Sequence, residues 1–165
     1  MKILSAIFST ALLTLPVSSV FAEQPDAKTT NEFFQDWKLN CVENVETRQC
    51  VVTQELRTDK GQTAAVVNLT YREQETIIEI ALPLMVDLTS PLSVSVDATD
   101  AKNYPYNACN SQACFILLKD DEDLLTAFKN GMQAQMKAKT FSGQDIDMKI
   151  SLKGFSTAFS ELKLR

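Results

Sequence analysis

Short runs in which every second residue is apolar dominate the chain from Phe33 onward. Leu92, Val94 and Val96 alternate with Ser93, Ser95 and Asp97, which predicts a strand with one buried face. Val67, Leu69 and Tyr71 alternate within 64–71, and Ile78, Ile80 and Leu82 share one face of 76–82. Ile146, Met148, Ile150 and Leu152 alternate with Asp147, Lys149 and Ser151. Val51, Val52 and Leu56 mark a run over 50–56, and Asp59-Lys60-Gly61 reads as the turn into the next one. The run 34–41 alternates imperfectly, and 114–118 is short and apolar. Two segments follow the helical period instead. Asp121-Glu122-Asp123 precedes Leu124, Leu125 and Phe128, with Gly131 as the stop; Phe155, Ala158, Phe159 and Leu162 fall at i, i+3, i+4 and i+7. The pattern predicts a mainly β chain, an antiparallel immunoglobulin-like β-sandwich with two short helices, the second laying Phe155 and Phe159 on the core. Trp37 precedes the first cysteine, so the Cys…Trp…Cys order of true immunoglobulin domains is missing.

The N-terminus follows other rules. Met1-Lys2 is a positive start, Ile3 to Leu15 is nearly all apolar, Pro16 breaks the run, and Ala22 stands before Glu23. This is the layout of a secretory signal peptide over 1–22, cleaved between Ala22 and Glu23. The alternative, a retained anchor, is disfavoured because the run is shorter than the roughly 18 residues a spanning helix needs. Residues 23–32 are polar and aperiodic and are expected to be a flexible lead-in; 33–165 reads as a single domain. No later stretch could span a membrane as a helix. Export to the periplasm or to the outer-membrane surface is therefore expected.

Export changes the meaning of the cysteines. Cys41, Cys50, Cys109 and Cys114 are an even set in an oxidising compartment, hence structural disulfides. The local pairing, Cys41–Cys50 and Cys109–Cys114, is preferred because each pair brackets a polar, turn-like segment; loops that short stabilise by roughly 2–3 kcal/mol each. Crossed pairings stay open. Redox chemistry would want Cys-x-x-Cys, and a four-cysteine zinc site closer spacings than these.

The 165 residues carry 16 basic and 21 acidic side chains, a net charge of −5, and no histidine. Without histidine there is no Ser-His-Asp or Cys-His site and no usual zinc or haem ligand set. The acidic balance argues against a nucleic-acid partner. Four glycines leave no phosphate-cradling loop. The run Asp120 to Asp123 lacks the spacing and glycine of an EF-hand and reads as acids at a helix N-terminus. Nothing selects a pair of carboxylates for hydrolysis, no Gly-x-Ser-x-Gly elbow occurs, and the sequon Asn68-Leu69-Thr70 falls inside a predicted strand. No catalytic residue, metal ligand or cofactor is expected. Tyr104-Pro105-Tyr106 is the one candidate for partner binding, as a rigid aromatic knob; the preferred alternative has both tyrosines covering the core at a strand edge.

The order of motifs resembles the invasion-associated locus B family of exported bacterial proteins. Phe34-x-x-Trp37-x-x-x-Cys41 is followed by Cys50 and Gln54, then Ile80-Ala81-Leu82-Pro83-Leu84, a strand ending in Asp97, Tyr106-x-x-Cys109 with Cys114, a helix ending at Gly131, and Ser151-Leu152-Lys153-Gly154-Phe155-x-x-Ala158. Met85, Ala98 and Ala113 stand where the family commonly has glycine, which puts the local loop shapes in question. The resemblance implies an exported, envelope-associated β-sandwich, a non-enzymatic binding or accessory protein with a protein or envelope partner, linked in some bacteria to host-cell invasion and virulence. Two other classes compete. One is a periplasmic envelope-maintenance or chaperone-like factor, which would expose a groove or strand edge for client segments; the other is a carboxylate-based hydrolase.

Overall fold

Alternation becomes pairing in the computed structural model, which describes residues 27–58, 60–97 and 99–165. The signal peptide expected over 1–22, with its Ala22–Glu23 junction, lies outside the described residues. Seven strands form one antiparallel sheet. They are β1 (Lys28–Phe34), β2 (Trp37–Glu43), β3 (Arg48–Arg57), β4 (Thr63–Arg72), β5 (Glu75–Leu82), β8 (Ala108–Cys109) and β9 (Cys114–Lys119). Their order is β1-β2-β3-β4-β5-β9-β8. A second sheet takes β6 (Leu92–Val96), β7 (Lys102–Tyr104), β10 (Gln133–Lys139) and β11 (Asp145–Ser151) in the order β11-β10-β6-β7. Helix α1 (Glu122–Asn130) leads from β9 to β10, and α2 (Phe155–Lys163) closes the chain.

Each sheet has one apolar face, and the two faces share one core. Trp37, Leu39, Val52, Val67, Leu69, Ile78, Ile80, Leu82 and Ile116 come from the first sheet; Leu92, Val94, Val96, Ala134, Met136, Met148 and Ile150 come from the second. The fold is mainly β with two helices, as the period-2 pattern requires. Helix α2 presents Phe155, Ala158, Phe159 and Leu162 to the core, and its Phe155 ring meets Trp37 edge-on at 5.0 Å and Phe128 of α1 at 5.4 Å.

One expectation is corrected. Residues 28–32, read as part of a flexible lead-in, belong to β1, which pairs with β2 from Lys28↔Glu43 to Phe34↔Trp37. The segment is polar because β1 is an edge strand, held by backbone pairing more than by burial. Strand β10 also escaped the pattern, since its inward residues are Ala134, Met136 and Ala138, small or helix-favouring types.

Candidate functional site

Five of the residues that carry the family resemblance, Phe34, Trp37, Gln54, Ser151 and Gly154, converge on one place, and there they hold the fold together. The Gln54 carboxamide donates to the carbonyls of Asp36 (2.9 Å) and Ser151 (3.0 Å), and its oxygen accepts from the Ser151 N–H at 3.1 Å. The Trp37 indole N–H donates to the same Ser151 carbonyl at 3.0 Å. Ser151 ends β11 of the second sheet, so side chains of β2 and β3 clasp one sheet to the other. Gly154 completes the clasp. Its φ is +85°, and a Cβ there would lie 1.9 Å from the Phe34 carbonyl oxygen, so only glycine lets α2 start against the β1–β2 hairpin.

The other motif residues are spent in the same way. Asp97 accepts from the backbone N–H groups of Met132 and Gln133 at 2.8 and 3.0 Å. At Gly131 a Cβ would come within 2.3 Å of Val96, so the helix stop doubles as a close approach to β6. Asp121 caps α1 by accepting from the Leu124 N–H. Disulfides join Cys41 to Cys50 across β2 and β3, and Cys109 to Cys114 across β8 and β9. The turn inside the second disulfide is closed without glycine, by the Asn110 side chain accepting from Gln112 and Ala113.

Tyr104 and Tyr106 do not form an exposed aromatic knob. Tyr104 is only 7% exposed and its hydroxyl donates to Asp121 at 3.0 Å, which corrects its reading as a partner contact: it covers the core and braces α1. Burial opposes ionisation of Asp121, but the Leu124 N–H, the Tyr104 hydroxyl and Lys102 together hold its carboxyl below the usual range. Tyr106 is half-buried against the core, and its buried hydroxyl has no hydrogen-bond partner. Burial and the nearby Asp87 push that phenol up.

Two surfaces stand out among the described residues. At one end of the molecule an isolated bridge pairs Val86 with Thr140, the Phe141 N–H donates to the Met85 carbonyl at 2.9 Å, and the Asp87 N–H donates to Lys139. Around this bridge Leu84, Met85, Leu88 and Phe141 are exposed to between 50% and 74%. The sequence contained the signal, apolar residues between Pro83 and Pro91 and a lone Phe141 in a polar turn, but a strand-and-helix reading passes over such segments. The second surface is an open groove of about 680 Å³ between β3 and β11, lined by Asp36, Gln54, Leu56, Arg57, Asp147 and Lys149 among others. The third carboxylate along it, Glu55, accepts from the Thr63 hydroxyl at 2.5 Å and from Arg57 at 2.8 Å, which holds it low. A general acid needs the opposite shift. Among the described residues no three His, Cys, Asp or Glu side chains are placed to hold a metal ion, and no helix is long and apolar enough to cross a membrane.

Comparison with known proteins agrees with the motif order. The family model described as invasion associated locus B (IalB) protein matches residues 37–163. The invasion protein B homologues of Brucella abortus strain 2308 and of Brucella abortus biovar 1 strain 9-941 are each 30% identical over 142 residues, 83% of this chain and 81% of theirs. The crystal structure of invasion associated protein B from Bartonella henselae superposes with a TM-score of 0.72 over 82% of this chain and 96% of that one, at 15% identity, a likeness of fold.

Proposed function

Because the chain belongs to the invasion associated locus B family, we propose that it is an exported, non-enzymatic binding or accessory protein of the bacterial envelope. It works by contact with a protein or envelope component and contributes to host-cell interaction. The observation that carries this reading is the exposed apolar end formed by Leu84, Met85, Leu88 and Phe141. Large apolar side chains gathered at bridged loops mark contact surfaces, and these are pinned by backbone hydrogen bonds. The motif residues Trp37, Gln54, Asp97, Gly131 and Gly154 support it from the other side, since each is engaged in structure. The names of the Brucella and Bartonella relatives supply the link to invasion.

The test is protease shaving of intact cells against spheroplasts, with a known periplasmic marker as control. Loss of the protein from intact cells is the expected result for a host-contact role. Protection until the outer membrane is opened would transfer the reading to a periplasmic envelope-maintenance factor. Recovery in the cytoplasmic fraction would overturn both.

A further inference from the structure

The two sheets turn different outer faces to solvent. On the second sheet the outward positions of β10 and β11 include Lys137, Lys139, Asp145, Asp147 and Lys149, the long charged side chains of a solvated surface. On the first sheet the outward positions of β3, β4 and β5 hold Val51, Thr53, Val66, Asn68, Thr70 and Ile77, which are short or β-branched and stand part-exposed. Strand pairing sets six outward residues in one row straight across this face. Phe33 lies beside Lys38, Lys38 beside Thr53, Thr53 beside Asn68, Asn68 beside Glu79, and Glu79 beside Leu117. Read from either end the row runs apolar, charged, polar, and its two charges have opposite sign. The ends, Phe33 and Leu117, are 73% and 42% exposed. Among the described residues neither Lys38 nor Glu79 belongs to an ion pair; the Asn68 carboxamide donates to Glu79 at 3.0 Å. The charges in the adjoining rows are already matched within the chain, Lys119 by Glu75 at 3.7 Å and Glu55 by Arg57 at 2.8 Å.

We propose that this face is the interface of a symmetric dimer whose other half is a second copy of this chain, with the twofold axis parallel to the strands and between β3 and β4. Such an axis lays each position of the row on the position equally far from its other end. Lys38 then meets Glu79 of the second copy, and Glu79 meets Lys38, so both unmatched charges are paired twice over. Thr53 meets Asn68, a hydroxyl against a carboxamide. Phe33 meets Leu117 at both ends. Glu55, one row out, comes opposite Val66 and keeps Arg57 and Thr63 as its own partners.

Shape and size agree with the charges. A hollow of about 310 Å³ lies among Val51, Thr70, Ile77, Glu79, Leu117 and Lys119, toward one end of the row, while the Phe33 ring stands out at the other end. The same axis seats each ring over the hollow of the opposite copy. A twisted sheet turned about its own strand direction nests on itself, so the strands of the two copies stay roughly aligned. Six strands, β1 to β5 and β9, set about 4.8 Å apart and crossed by three rows about 7 Å apart, make a face of roughly 30 Å by 20 Å with side chains included. That is on the order of 600 Å² in projection, within the roughly 600–1,000 Å² that each partner gives to a stable interface.

The test is sedimentation velocity of the mature protein from about 1 to 500 µM, with circular dichroism to show that each variant folds. The parent chain should be dimeric in the upper part of that range. Lys38→Glu and Glu79→Lys each set like charges against one another at both contacts, and each should weaken the dimer at least about tenfold. Mixed one to one, the two variants should dimerise again, because every contact then joins opposite charges; a variant that had merely lost its fold could not be rescued in this way. Phe33→Ser, on an exposed side chain of an edge strand, should also weaken the dimer while leaving the urea midpoint unchanged. A parent chain that is monomeric throughout the range overturns the interface. So does a dimer indifferent to both charge variants, or a pair of monomeric variants that stay monomeric when mixed. A dimer that is lost in Phe141→Asp and kept in the charge variants overturns it too, and places self-association at the apolar end instead.

Discussion

Replacing Gln54 by alanine should destabilise the protein out of proportion to the apolar surface removed. The side chain makes two donor contacts and one acceptor contact, to Asp36 and to both backbone groups of Ser151. The Ser151 carbonyl keeps the Trp37 indole, but the Ser151 N–H loses its only partner in a half-buried position. A stranded donor costs about 1–3 kcal/mol, and the two lost donor bonds add about 1 kcal/mol between them in this partly wet setting, so we expect roughly 2–4 kcal/mol in all. At about 3–4 °C per kcal/mol for a domain of this size, the midpoint should fall by about 10 °C. Urea unfolding followed by fluorescence reports it directly, because Trp37 is the only tryptophan and is fully buried beside the clasp. Gln54→Glu sharpens the test. The introduced carboxyl can still accept from the Ser151 N–H, but its second oxygen faces two carbonyls, so its folded-state pKa rises above the unfolded value of about 4.3. The charged form carries the penalty, so the variant is weakest above the folded-state pKa. It regains stability as the pH falls toward 4, where the proton restores the donor. A loss below about 0.5 kcal/mol for Gln54→Ala, or a pH-independent Gln54→Glu, would refute the clasp as a determinant of stability.

Three further expectations share these assays. Gly154→Ala should cost at least about 2 kcal/mol by thermal unfolding, because the new Cβ meets the Phe34 carbonyl at a φ of +85°. Phe159→Ala should cost about 3–5 kcal/mol, the ring being 3% exposed and stacked 6.2 Å from Phe155; an unchanged urea midpoint would mean the helix face is not buried. Asp121, held low in the folded state, contributes stability that is present above its unfolded value of about 3.9 and is lost as the pH falls through its lower folded value. Asp121→Asn should therefore unfold at lower urea near neutrality and show a flatter acid limb than the parent chain.

What the chain discloses of this structure is set by how local each determinant is. The strand of Leu92, Val94 and Val96 reads directly because burial on one face imposes a period of two, and α1 reads because Asp121 and Gly131 are its own cap and stop. Strand β10 does not, since Ala134, Met136 and Ala138 bury as fully as valine would yet announce nothing. The β4–β5 hairpin is equally silent, because Glu73 and Gln74 take positive φ values without a glycine to signal the turn. The clasp is beyond any local reading. Gln54 and Ser151 are 97 positions apart, Trp37 and Ser151 are 114, and only the closing of two sheets puts them together. Tyr104 belongs with them: its partner Asp121 turns an apparent surface aromatic into a brace.

The distribution of these roles says where partner choice resides. A motif residue held by a close approach or a half-buried hydrogen bond, as Gly154 and Gln54 are, cannot vary without loss of stability, and so is poorly placed to be tuned to a partner. Met85 is different. Its neighbourhood asks nothing of its side chain, because the hydrogen bond there joins the backbone of Met85 and Phe141. Placing an unbranched, polarisable side chain 59% exposed at that point adds contact area at little structural cost. The hairpin that carries Phe141 then runs directly into the free edge of β11. The apolar end and this sheet edge are thus consecutive along the chain.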